Sequence, residues 1–184
     1  KNNLKIINNQ IKQIEKLVNE FSDFARMPKP VLKKNDLVVL LNDNIKLLNE
    51  LDKSIDITFK KNAEKIILNC DPEQLSRVFF NLIKNSIESI EQKKEKIAVF
   101  NKKISIELND LDDHISLTII DNGKGFEMSS NKIKEILNPY FTTKKNGTGL
   151  GLSIVNKIIN DHNGDIEFIP IDDGAEIKII FSKK

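Results

Sequence analysis

Gly147-Thr148-Gly149-Leu150-Gly151-Leu152 runs directly into the apolar stretch Ser153-Ile154-Val155. Alternate glycines ahead of a helix leave backbone N–H groups bare at its positive end, where an anion such as a phosphate binds. A plain flexible loop would also carry glycines, but such a loop rarely feeds straight into a strongly apolar helix. Two familiar phosphate loops are excluded. No Gly-Lys-Ser or Gly-Lys-Thr follows, so this is not a Walker A loop. Nor does it match the Rossmann fingerprint, whose glycines are spaced differently and whose loop follows a strand. The doubly wound parallel sheet that such loops serve is set aside.

The elements around this loop decide the rest. Asp71-Pro72-Glu73 opens a long helix, with Asp as N-cap, Pro at the first helical position and Glu in the first turn. Its inner side carries Leu75, Val78, Phe79, Leu82, Ile83, Ile87 and Ile90. Upstream, Asp36 caps an amphipathic helix reaching about Leu51. Residues 55–59 alternate as a half-buried strand should, and 65–69 continue as a second strand. Two further strands cover 103–109 and 114–121, and a loop-rich stretch with a short helix leads to the glycine loop. That loop opens a helix from about 148 to 162, and strands at 165–169 and 175–182 close the chain. Helices and mostly antiparallel strands in this order read as α+β, a two-layer sandwich.

The first segment is different. Leu4, Ile11, Val18 and Ala25 fall on one heptad series and Ile7, Ile14 and Phe21 on the other, with polar residues elsewhere. This is an a/d stripe suited to an interhelical seam. A helix packed on its own domain usually shows a wider stripe. Met27-Pro28-Lys29-Pro30 stops the helix and marks a domain boundary, dividing 1–28 from 29–184. The chain opens at Lys1, inside this helix and without an initiator Met, which reads as a piece of a longer protein. A net charge of +2 over 184 residues gives no argument for a nucleic-acid partner. No apolar run has the length of a membrane span. The single Cys70 excludes an internal disulfide and reads as a small buried hydrophobe at a strand end.

Within the long helix lies Asn81-Leu82-Ile83-Lys84-Asn85-Ser86. Asn81 and Asn85 are one turn apart and project from one face. Asn disfavours helix interiors because its amide competes for backbone groups. An amide carbonyl is a neutral oxygen ligand suited to Mg2+, which takes its other oxygens from waters and substrate phosphates. Two polar residues on an exposed helix edge would show the same spacing. Asp121-Asn122-Gly123-Lys124-Gly125-Phe126 follows an apolar strand, so the Asp121 carboxylate sits at the strand end. A carboxylate accepts hydrogen bonds only, and an adenine amine donates them. Gly123 and Gly125 let the backbone bend and lie close to a flat base. An Asn-Gly hairpin turn would suit the same residues. Asn138-Pro139-Tyr140-Phe141-Thr142-Thr143-Lys144-Lys145-Asn146 reads as a lid, with aromatic pegs, hydroxyls and cations beside the phosphate loop. A surface loop with ordinary lysines fits Lys145 and Asn146 equally.

In this order the motifs resemble the catalytic ATPase domain of bacterial sensor histidine kinases, in the superfamily shared with gyrase, Hsp90 and MutL. Asn81 to Asn85 looks like the N box, Asp121 to Gly125 the first glycine box, Pro139 to Phe141 the F box, and Gly147 to Gly151 the second glycine box. The likeness covers residues 30–184 and implies the Bergerat-type ATPase fold. The helix ending Phe21-Ser22-Asp23-Phe24-Ala25-Arg26-Met27-Pro28-Lys29-Pro30 is similar to the second dimerisation helix of nitrogen-regulation kinases, NtrY-like ones in particular. The resemblance implies ATP and Mg2+ as ligands. Asn85 would bind the metal, supported by Asn81, and Asp121 would receive the adenine amine with Gly123 and Gly125 permitting close approach. Phe141 and Thr143 would belong to the lid, Lys144 would meet the phosphates, and Gly147, Thr148, Gly149, Leu150 and Gly151 would set the loop against them. It further implies a homodimer joined through the dimerisation domain. The phosphoryl group passes to a histidine and then to an Asp of a response-regulator receiver domain. The location implied is cytoplasmic, with any membrane anchor outside this chain.

In gyrase-like relatives a Glu stands where this chain has Asn81, and an amide cannot act as a base for hydrolysis. A neutral imidazole is already nucleophilic and needs positioning and charge stabilisation more than a protein base. Glu88 could reach the metal or a water, or be a helix-surface charge. Two departures stand out. Ala175 occupies a place where many relatives carry a hydroxyl near the base, and His162-Asn163-Gly164 replaces the commoner His-Gly-Gly, Asn being tolerated in left-handed geometry. Neither His114 nor His162 has the family's His-Glu-x-x-x-Pro context, so the acceptor histidine is expected upstream of Lys1. An ATPase or an anti-sigma Ser/Thr kinase would share the fold, and a nucleotide-binding pseudokinase scaffold would break Asn85 or Asp121.

Overall fold

The computed structural model describes residues 2–94, 100–126, 133–142 and 147–183. Helix α1 spans Asn2–Ala25 and ends ahead of Pro28 and Pro30. Its stripe is exposed, with Leu4 71% and Ile14 60% accessible, so α1 buries little of it against the rest of the chain. Phe21, itself 47% accessible, makes a ring contact with the rest of the chain, stacking on Tyr140 with centroids 6.5 Å apart.

Strand β1 (Lys33–Asp36) leads into α2 (Leu37–Leu51). As the spacing predicts, Asp36 caps this helix, accepting from the Val38 N–H at 3.0 Å. The same oxygen takes the Ile66 N–H at 3.2 Å, tying the cap to the chain ahead of β3. Strands β2 (Asp56–Lys61) and β3 (Ile67–Cys70) follow. Strand β3 starts two residues later than the sequence pattern suggests, and it does not join the main sheet. It pairs antiparallel with β1 in a separate two-stranded sheet.

Helix α3 runs Pro72–Lys94, capped as expected by Asp71, whose Oδ1 accepts from Glu73 and Gln74 N–H at 3.1 Å each. Asp71 Oδ2 takes the Val31 N–H at 2.9 Å. Burial pushes the Asp71 carboxyl up, but these backbone donors and the nearby His162 hold it below its ordinary value. Strands β4 (Lys103–Asp110) and β5 (His114–Asp121) precede a 3₁₀ turn at Ile133–Leu137, and α4 covers Gly151–Asp161. The helix therefore begins at the glycine loop's last glycine, Gly151, rather than at residue 148. Strands β6 (Gly164–Ile171) and β7 (Gly174–Ser182) complete a five-stranded sheet of order β2-β4-β5-β7-β6. Its pairings are antiparallel except for β2 with β4.

Period-two burial gives each central strand one core face: Ile104, Ile106 and Leu108 on β4, Ile115, Leu117 and Ile119 on β5, Ile177, Ile179 and Phe181 on β7. Against that face lie Leu75, Phe79, Leu82 and Ile83 of α3 and Ile154, Val155, Ile158 and Ile159 of α4. The result is the two-layer α+β sandwich, and it fixes α3, α4 and the end of β5 around a shared space. His162 locks the two helices together. Its Nε2 accepts from the Asp71 N–H at 2.9 Å while Nδ1–H donates to the Ile158 carbonyl at 2.8 Å, so both ring nitrogens are spent. The following Asn163 has the left-handed backbone expected of it, φ +55°. Cys70 is fully buried at the end of β3, and burial pushes its thiol up to about 11. Among the described residues no helix is long and apolar enough to cross a membrane.

Candidate functional site

Between α3, the end of β5 and the start of α4 lies a cavity of about 780 Å³. It gathers residues that the sequence scatters between positions 81 and 151: Asn81 and Asn85 from α3, Asp121 and Gly125 from the end of β5, Phe141, and Gly147, Thr148, Gly149 and Gly151 from the glycine loop. An exposed helix edge therefore does not account for the asparagine pair. Thr143 and Lys144 lie outside the described residues. Two anticipated residues are near but not in the wall. Gly123 packs behind Asp121 against Ser89, and Leu150 is fully buried in the core, so its side chain faces away from the cavity.

Asp121 is only 3% exposed. Its Oδ1 accepts the Gly123 N–H at 2.9 Å, a local turn that orients the carboxyl. Burial holds this carboxyl above its ordinary value, opposed by the Gly123 amide, the Ser86 hydroxyl and the Lys93 cation. The hairpin reading of Asn122-Gly123 fails, because β5 is flanked by β4 and β7. Asn122 instead braces β4, accepting from the Lys103 N–H at 2.8 Å and donating to the Asn101 carbonyl at 2.6 Å.

Glycine here is required chiefly by packing. A side chain at Gly125 (φ +73°) would run into the Gly174 carbonyl, and one at Gly174 (φ +125°) into the Asp121 carbonyl. Lys93 of α3 donates to the Asn122 carbonyl at 2.8 Å and pairs with Asp173, pulling the β6–β7 turn onto this end. At the other end, Gly149 (φ +71°) lies so close to Tyr140 that a side chain would strike its backbone. Tyr140, itself at φ +69°, donates its N–H to the Gly149 carbonyl at 3.0 Å. Among the described residues no side chain caps the start of α4. The first-turn N–H groups of a helix have no partner within the helix, so this terminus suits an anion.

Arg77, Ser86, Ser89 and Lys124 also line the cavity and escape the motif reading. Arg77 had a signal, since it lies one turn before Asn81 as Asn85 lies one turn after. The wall thus offers a buried acceptor at one end, backbone donors at the other and amide oxygens between. Among the described residues no group of three His, Cys, Asp or Glu could hold a metal. The neutral oxygens of Asn81 and Asn85 fit Mg2+ only as partial ligands, with phosphate and water completing its shell.

Residues 70–184 match the family described as histidine kinase-, DNA gyrase B-, and HSP90-like ATPase. The chain is 35% identical over 184 residues to a putative sensor histidine kinase, NtrY-like, of Rickettsia felis, covering 100% of this chain and 29% of that protein. It is 33% identical over 173 residues to nitrogen regulation protein NtrY of Azorhizobium caulinodans, covering 92% of this chain and 22% of that one. The chain thus spans less than a third of the length of these relatives. Among solved structures, the catalytic domain of histidine kinase ThkA superposes with TM-score 0.71 at 28% identity, over 83% of this chain and 95% of that one. ThkA in complex with the response regulator TrrA gives TM-score 0.78 at 24% identity, over 100% of this chain and 51% of that one, which speaks to the fold alone.

Proposed function

We propose that this chain, which belongs to the histidine kinase-, DNA gyrase B- and HSP90-like ATPase family, is the ATP-holding part of a sensor histidine kinase. One observation carries the reading: Asp121, the Asn81–Asn85 pair and the glycine loop, far apart in sequence, line one cavity. Asp121 accepts the adenine amine, Asn85 gives its amide oxygen to Mg2+ with Asn81 beside it, and the 147–151 loop with the start of α4 takes the phosphates. Phe141 closes the side of the cavity, and Thr143 and Lys144 are assigned to the lid over the phosphates. Bound Mg2+ neutralises phosphate charge.

The reaction proposed forms a bond between an imidazole nitrogen and the γ-phosphorus and breaks the bond to the β–γ bridging oxygen, releasing ADP. The acceptor lies outside this sequence. His162 has both ring nitrogens committed. His114 starts β5 and Asp121 ends it, about 23 Å apart at the usual strand rise. On this reading residues 1–28 belong to a dimerisation domain, residues 29–184 form the catalytic domain, a receiver-domain Asp takes the phosphoryl group next, and the whole works in the cytoplasm. The exposed a/d stripe of α1 supports the dimeric part. The test is to incubate a longer chain that includes the upstream segment with γ-labelled ATP. Acid-labile label on a histidine outside residues 1–184 is the expected result. Phosphate release without protein label would favour a hydrolase instead.

A further inference from the structure

Ser86 follows Asn85 on α3 and is 2% exposed. It lines the cavity, yet its Oγ has no hydrogen-bond partner among the described residues. A buried hydroxyl without a partner is costly and calls for an explanation. The common escape for a serine in a helix is donation to a carbonyl of the preceding turn. Ser153 takes it, donating to the Leu150 carbonyl at 2.9 Å. Ser89, one turn beyond Asn85, is satisfied differently, accepting the Lys124 N–H at 3.0 Å. Ser86 does neither. It lies near enough to the Asp121 carboxylate to favour its charged form, though outside hydrogen-bond geometry.

The opposite wall gives the contrast. Ala175 pairs directly with Asp121 across β5 and β7 and presents only a methyl group, so β7 supplies no hydroxyl to a base at this place. Along its pairing edge, adenine offers an amine that donates and a ring nitrogen, N1, that accepts. A carboxylate satisfies the first and cannot satisfy the second, whereas a hydroxyl can donate to it. Guanine reverses both signs, presenting a carbonyl and an N–H. Resting on the ATP reading above, we infer that Ser86 Oγ donates to N1 of the adenine held at Asp121, directly or through one water. The two side chains read the adenine edge together. Ser86 is thus a specificity-determining residue that supplies from α3 the hydroxyl missing at Ala175.

The experiment titrates a fluorescent ATP analogue into this chain and competes it with ATP, GTP and 1-deaza-ATP, in which a C–H replaces N1. The unmodified chain should bind ATP about fivefold more tightly than 1-deaza-ATP, the effect of one neutral hydrogen bond. Ser86→Ala should lose that preference by weakening ATP about fivefold while leaving 1-deaza-ATP unchanged. Ser86→Thr, which keeps the hydroxyl, should retain the preference. Equal weakening of both nucleotides in Ser86→Ala, or a preference that persists there, would overturn the inference while leaving ATP binding intact. The unmodified-chain comparison needs no variant to fold. A chain that binds ATP no better than GTP, and no worse as Asp121→Asn, would instead remove the adenine reading and this inference with it.

Discussion

The two ends of the cavity differ in how far packing closes them. At the Asp121 end, side chains and backbone are fixed by packing: the carboxyl is buried, Asn122 braces β4, and Gly123, Gly125 and Gly174 each fill a space where no side chain fits. At the glycine-loop end, Gly147, Thr148 and Gly149 are only half-buried and Gly149 alone is closed off, by Tyr140; among the described residues α4 begins without a side-chain cap and nothing lies within 4 Å of where a Gly151 Cβ would stand. The lesson is that a folded sheet can pre-build the recognition of a flat base. A phosphate is better met by backbone donors that the protein leaves unspent.

The largest effect should come from Asp121→Asn. Losing a charged acceptor should weaken ATP by about 10- to 100-fold in a fluorescence titration. The same change removes the cost of burying a charge, so thermal melting should hold or rise. The pH dependence follows from the raised carboxyl. Its folded form binds a proton more tightly than its unfolded form, so its stabilising contribution is full below the ordinary carboxyl value and lost as pH rises through the raised one. On the proposed reading ATP is held by the ionised form, so affinity should fall as pH drops through that same raised value. Asp121→Asn should flatten both profiles.

Gly174→Ala should come next. A methyl group there strikes the Asp121 carbonyl at a backbone angle that favours glycine, and a loss of about 1–3 kcal/mol in denaturant unfolding is expected, with ATP weakened alongside. Gly151→Ala should do the reverse and have the smallest effect on stability. Among the described residues the methyl meets open space, so unfolding should change by less than about 0.5 kcal/mol, while ATP affinity should still drop if the phosphates occupy that space as proposed. If both glycine variants lose stability equally, the contrast between the two ends is wrong.

How much of this was legible in the sequence follows the same division. Asp36 and Asp71 announced their helices because an N-cap is a local device, and residues 114–121 read as a strand to the residue because their alternation is strong. Strand β1 showed only as a short extended piece between the prolines and Asp36: Lys33-Lys34-Asn35-Asp36 has no apolar alternation, and its pairing with β3 makes it a strand. The parallel β2–β4 pairing was hidden because partner choice is non-local. At the site, Asp121 and Asn85 stood out by residue type. Ser86 did not, since an ordinary helical serine becomes notable only when its lack of a partner can be seen. Gly123 and Gly125 were read as making room for a base, whereas the collisions their side chains would cause are with Ser89 and Gly174.

On the proposed reading one cavity holds Mg-ATP, with its base at Asp121 and its phosphates at the glycine loop. An amide chemical-shift map of the isotopically labelled chain, titrated with Mg-ATP, tests it most directly. Gly123 and Gly125, Asn85 and Ser86, and Gly147, Gly149 and Gly151 should all shift along one saturating curve. Shifts confined to a single motif, or centred away from this cavity, would contradict it.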